Sequence, residues 1–103
     1  MEMAITGEPI TADVALQCGM LSELTEPGGA LAAAIGWANR IAENAPLAVA
    51  ASKTLVRAAA QGHDEESLWK MQEPLSRSVF SSNDAKEGPR AFAEKRAPKW
   101  TGT

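Results

Sequence analysis

Tyrosine is absent from this chain of 103 residues, and cysteine and histidine occur once each. The lone Cys18 can build neither a disulfide framework nor a cysteine zinc site within one chain, and a buried, inert thiol is expected there. His63, between Gly62 and Asp64, has no serine or cysteine arranged beside it as a nucleophile; it reads as a solvent-exposed loop residue, and no metal site is expected. Long apolar runs are missing as well. Nothing approaches the roughly 20 unbroken apolar residues of a membrane span, so no membrane partner is expected. The opening Met1-Glu2-Met3-Ala4-Ile5 places an acid where a signal peptide has its basic region, which points to a cytoplasmic protein. A net charge of -3 argues against nucleic-acid binding, because neutralising phosphates takes clustered cations.

What is present is abundant alanine, 45% hydrophobic and 22% charged residues, and apolar positions recurring with a helical rather than a strand period. The expected class is all-α: four to six short-to-medium amphipathic helices in a single region, residues 1–103. A chain this short has a modest core, so partners are expected to supply part of its stability. Residues 1–5 read as the last turns of a helix stopped by Thr6-Gly7, which suggests a chain that begins inside a helix. Thr11 is expected to cap a short helix through Ala15 and Leu16 that ends at Gly19. An irregular stretch follows to Leu24, and Pro27-Gly28-Gly29 breaks the chain. The next helix runs from Ala30 to Asn44, with Leu31, Ile35, Ala38 and Ala42 on its apolar face. Pro46 opens another, whose face takes Leu47, Ala51, Leu55 and Ala58 and which ends at Gly62. Asp64, Glu65 and Glu66 begin a third with the seam Leu68, Met71, Leu75 and Val79, and Pro74 predicts a kink or a break in it. Ser81 or Ser82 caps a last helix, with Ser81 to Asp84 spaced as a capping box. That helix is marginal at Gly88-Pro89, and Arg90 to Arg96 reads as a second piece closed off by Pro98.

Charge is unevenly placed. Residues 1–81 hold five Lys/Arg against ten Asp/Glu, whereas residues 82–103 hold five against three, so the tail is where an anion would go.

The run Ser82-Asn83-Asp84-Ala85-Lys86-Glu87-Gly88-Pro89-Arg90-Ala91-Phe92-Ala93-Glu94-Lys95-Arg96-Ala97-Pro98-Lys99-Trp100-Thr101-Gly102 resembles the tail of bacterial members of the enoyl-CoA hydratase/isomerase (crotonase) superfamily. Met3-Ala4-Ile5-Thr6-Gly7-Glu8-Pro9-Ile10-Thr11-Ala12, then Ala15-Leu16 and Gly19-Met20-Leu21, resembles that family's passage from its core to its C-terminal helices. Arg40-Ile41-Ala42, Ala45-Pro46 and Ser52-Lys53 keep similar order between them. The resemblance implies the C-terminal helical region of such a protein, in a family that hydrates or isomerises 2-enoyl-CoA thioesters in fatty-acid metabolism. There, backbone N–H groups of an upstream core form an oxyanion hole, and two upstream glutamates handle the proton and water. Glu2, Glu8 and Glu23 do not correspond to those glutamates, so the resemblance implies no catalytic residue here and a chain inactive by itself.

It does imply a ligand contact. Phe92 and Lys95 match a Phe-x-x-Lys segment that, in several relatives, approaches the adenosine and phosphate end of coenzyme A, often in a neighbouring subunit's site. A spacing of three sets them on adjacent faces of one helical turn, where a ring suits adenine and an ammonium suits phosphate. The competing reading anchors Phe92 in the core and leaves Lys95 solvated. Implied partners are an acyl-CoA, with no covalently bound cofactor, and a homo-oligomer or a full-length crotonase relative. The alternative function is a non-catalytic helical oligomerisation or docking module. Trp37, Trp69 and Trp100 read as core or interface residues without a ligand.

Overall fold

In the computed structural model, which describes residues 2–103, six helices follow one another: α1 (Glu2–Thr6), α2 (Ala12–Gln17), α3 (Ala30–Ala42), α4 (Pro46–Ala60), α5 (Glu65–Ser81) and α6 (Asn83–Ala93). No strand occurs among the described residues, so the all-α expectation holds. Met1, the first of the five residues expected to form the last turns of a helix, lies outside the described residues. The chain divides into two compact units, Met1–Ala38 and Asn39–Thr103.

In the first unit, α1 ends at Gly7, whose φ of 71° suits the left-handed stop expected there. The Thr11 hydroxyl caps α2 by accepting the Val14 N–H at 3.3 Å. Two hydrogen bonds close the other end of α2: Gly19 N–H to the Leu16 carbonyl at 3.0 Å, and Met20 N–H to the Ala15 carbonyl at 2.9 Å. The Trp37 indole N–H donates to Glu23 Oε2 at 2.7 Å. Cys18 is exposed, which corrects the expectation of a buried thiol. It sits at the C-cap of α2, in a unit where Ala15 alone among the described residues is buried, so no core is available to take it in.

In the second unit, α4 packs against α5, and the two expected seams meet. Leu47, Ala51 and Leu55 are half-buried with Ala58 buried, facing half-buried Leu68, Met71, Leu75 and Val79. Pro46 opens α4 as its first residue, and the Asp64 side chain caps α5 by accepting the Ser67 N–H at 2.8 Å. Of the kink or break expected at Pro74, the break does not occur: α5 runs continuously through it. Proline removes one backbone donor, but apolar residues on both sides of it stay seated in the seam and hold the two halves of the helix together.

Likewise α6 continues through Gly88-Pro89 instead of dividing. A residue before proline is pushed out of the helical region largely by its Cβ, which Gly88 lacks. The Trp100 ring packs beside this glycine, where a Cβ would meet it at 3.4 Å, an ordinary van der Waals contact, so the freedom that the glycine supplies is toward the proline. The cap of α6 is Ser82, not Ser81: its hydroxyl accepts the Ala85 N–H at 3.0 Å and donates to the Val79 carbonyl at 2.6 Å. Asp84 therefore falls one position short of a capping box. Ser82→Ala is expected to lower stability by about 1 kcal/mol, and Ser82→Asn to recover most of it, as read from denaturant midpoints.

Buried apolar residues number three among those described: Ala15 at 9%, Ala58 at 4% and Ala91 at 1% exposure. Each lies third from the end of its helix, under the chain that folds back to close it. No large side chain among the described residues is sealed, whereas Leu31 is 72%, Val56 68%, Trp69 60% and Phe80 78% exposed. Apolar faces of this extent are characteristic of surfaces that another body covers.

Candidate functional site

The C-terminal end of α6 closes as α2 and α4 do. In α4, Gly62 N–H reaches the Ala59 carbonyl at 3.0 Å and His63 N–H the Ala58 carbonyl at 3.2 Å; in α6, Lys95 N–H reaches Phe92 at 3.2 Å and Arg96 N–H reaches Ala91 at 3.1 Å. The turning residue differs. Gly19 (φ 72°) and Gly62 (φ 86°) adopt the left-handed region at little steric cost, but the third turn uses Lys95 at φ 53°, the one non-glycine residue with positive φ among those described.

A network of side chains holds this turn. The Arg96 guanidinium grips Glu87 with both terminal nitrogens, at 2.5 and 3.0 Å, and its Nε donates to Glu94 at 2.5 Å. Glu94 also accepts from Arg90 Nε at 3.1 Å, and Glu87 accepts the Lys99 N–H at 2.8 Å. Further along, the Trp100 indole donates to the Glu43 carbonyl at 2.8 Å. Buried Asp84 takes the N–H groups of Thr101 and Gly102 at 2.7 and 2.9 Å and the Thr101 hydroxyl at 3.1 Å. The segment after α6 is thus strapped back along that helix. None of Asp84, Glu87 and Arg96 was singled out from sequence as a site residue. Their partners lie 9 to 18 residues away across turns, and no helical or strand period connects them.

These bonds keep the acids ionised. The Arg96 fork and then the Lys99 N–H hold the Glu87 carboxyl at about 2, well below its ordinary 4.5. Asp84 is lowered chiefly by the Thr101 N–H, Glu94 chiefly by Arg96, and Asp64 by the Ser67 N–H. Glu87 and then Glu94 push Arg96 above its already high value. A carboxyl whose folded value lies below its unfolded one stabilises fully above the unfolded value and loses that contribution as pH falls. Stability is therefore expected to fall as pH drops from about 4.5 toward 2, and Glu87→Gln to flatten the decline, as measured by urea unfolding at a series of pH values.

Phe92 is 88% exposed in the last turn of α6, so the described residues of this chain do not bury it in a core of their own. Lys95 is exposed too, but it lies beyond the helix. The two residues are brought together by the closing turn, not by adjacent faces of a helical turn. The Lys95 ammonium has no hydrogen bond or ion pair among the described residues. Trp100 and Lys53 contribute with Ile41, Pro46 and Val49 to an apolar groove of about 550 Å³. Leu55, Val56, Leu68 and Trp69 line another of about 360 Å³ between α4 and α5. Among the described residues no three His, Cys, Asp or Glu converge as metal ligands, and no helix is long and apolar enough to cross a membrane.

An all-helical chain with this C-terminal strap matches the profile of the enoyl-CoA hydratase/isomerase family over residues 1–103, and it belongs to that family. It is 40% identical over 99 residues to the enoyl-CoA hydratase EchA19 of Mycobacterium tuberculosis, covering 96% of this chain and 37% of that protein. It is 38% identical over 104 residues to the carnitinyl-CoA dehydratase of Salmonella typhi, covering 98% and 40%. Among solved structures, an enoyl-CoA hydratase from Mycobacterium tuberculosis superimposes with a TM-score of 0.92 at 46% identity, over all of this chain and 40% of that one. EchA1 of Mycobacterium marinum superimposes with a TM-score of 0.92 at 48% identity, over all of this chain and 42% of that one. The chain thus spans about 40% of the length of the relatives it matches.

Proposed function

We propose that this chain is a coenzyme-A-contacting helical region of an enoyl-CoA hydratase/isomerase-type protein of the cytoplasm, serving hydration or isomerisation of 2-enoyl-CoA thioesters while being inactive by itself. The observation that carries this reading is the pairing, in one turn, of an aromatic ring left 88% exposed with an unpaired lysine. Phe92 offers a face for adenine, and Lys95 offers a point charge for a phosphate. Support comes from the relatives, whose names are those of enzymes acting on CoA thioesters. Inactivity by itself is supported by the acids nearest this turn: Asp84, Glu87 and Glu94 are committed to hydrogen bonds that hold the strap, and these bonds lower their pKa values.

Incubating the purified chain with crotonyl-CoA, after contaminating host enzyme has been excluded, is expected to give no hydration, whereas titration with coenzyme A gives binding that Lys95→Ala weakens. Sustained turnover by the chain alone, or binding indifferent to Lys95, would overturn this assignment.

A second reading, a helical oligomerisation or docking module, is favoured by the apolar residues of α3 left open, with Leu31 at 72%, Ile35 at 52% and Ile41 at 51% exposure. Such faces fit a homo-oligomer or a full-length relative as cover. Light scattering showing a well-folded monomer with no affinity for such a relative would end it.

A further inference from the structure

Three helices of the described chain end in the same paired closure, and only the third turns on a residue with a side chain. Gly19 and Gly62 hold the left-handed conformation without help, and Gly19 is followed by Met20, which can form no ion pair. Lys95 instead is flanked on both sides by residues tied down through charge: Glu94 by Arg90 and Arg96, and Arg96 by Glu87. Glu87 and Glu94 are taken up by Arg96, Arg90 and the Lys99 N–H, and the Lys95 ammonium has no hydrogen bond or ion pair among the described residues. A lysine that is sterically disfavoured, clamped on both sides and still unpaired is arranged for a ligand outside the chain.

We propose that Glu87 and Arg96 are positioning residues, whose bidentate pair holds Lys95 in the left-handed turn so that its ammonium and the Phe92 ring address one adenine-bearing phosphate ligand. This rests on the reading of Phe92 and Lys95 as coenzyme A contacts. The chain-folding side of the clamp stands on geometry alone. Glu87 is reached by the fork of Arg96 and by the Lys99 N–H, so the backbone is fixed on the far side of the turn as well as within it. Without the clamp, a lysine returns to its preferred right-handed or extended states, and only a fraction of molecules stays competent to bind.

The test is a titration of the full chain with coenzyme A followed by amide NMR, with the intraresidue amide–Hα NOE of Lys95 reporting the left-handed turn. Glu87→Gln is expected to keep the helical circular dichroism, to weaken that NOE and to lower affinity about tenfold. If Glu87→Gln unfolds, Arg96→Lys, which keeps the cation but loses the fork, is expected to give the same pair of changes. A folded variant with the turn and the affinity both intact overturns the positioning role, as does an affinity loss with the NOE unchanged. Lys95→Ala separates the two ideas. If it leaves coenzyme A affinity untouched, the ligand reading fails and the proposal with it; if it abolishes binding while Glu87→Gln changes nothing, the contact stands and only the clamp is wrong.

Discussion

Lys95→Gly is expected to raise stability by about 1 kcal/mol while lowering affinity for coenzyme A by about tenfold. The two effects have separate origins. Stability rises because glycine occupies φ near 53° without the clash of a Cβ against the following carbonyl, although the greater freedom of glycine in the unfolded chain offsets part of the gain. Affinity falls because the ammonium, which has no other partner among the described residues, is removed from the phosphate. Lys95→Ala supplies the contrast, since it loses the ammonium and keeps the strained backbone. Urea midpoints and coenzyme A titrations on both variants check the argument; a glycine variant no more stable than wild type would show that the turn carries no strain.

Trp100→Ala is expected to cost about 3 kcal/mol, toward the lower end for a tryptophan because the ring is only half-buried. The indole does two things. Its N–H reaches the Glu43 carbonyl at 2.8 Å, fastening the strap to the residue after α3, and its ring occupies the space beside Gly88. Trp100→Phe separates them: it keeps most of the ring and loses the hydrogen bond, for an expected cost of about 1 kcal/mol. Thermal or denaturant unfolding distinguishes the two, and equal losses for Ala and Phe would mean that the hydrogen bond alone fastens the strap.

Most of the helical architecture was readable from residue patterns because its signals are local. Thr11, Pro46 and Asp64 announce helix starts, Gly7, Gly19 and Gly62 announce stops, and the seam of α4 and α5 follows a simple period. The failures share a cause. A break at Pro74 and a division at Gly88-Pro89 are suggested by a proline's local cost, which is visible in sequence, whereas the packing that keeps both helices continuous is not. The turn at Lys95 was hidden because nothing in a lysine codes for a left-handed backbone; it is held from a distance by Glu87. Cys18 was read as buried by the habit of its residue type, and the first unit has too little interior to honour that habit. As for the candidate site, the resemblance supplied Phe92 and Lys95, and the exposure of the ring and the geometry of the turn emerged only with the fold.

The three sealed alanines imply an inverted pattern of mutational tolerance. In a saturation scan scored by folding of the isolated chain, methyl-sized positions 15, 58 and 91 should reject almost every larger replacement, having no room under the returning strand of backbone. Bulky positions such as Leu31 and Phe80, ordinarily the intolerant ones, should accept polar residues with little penalty.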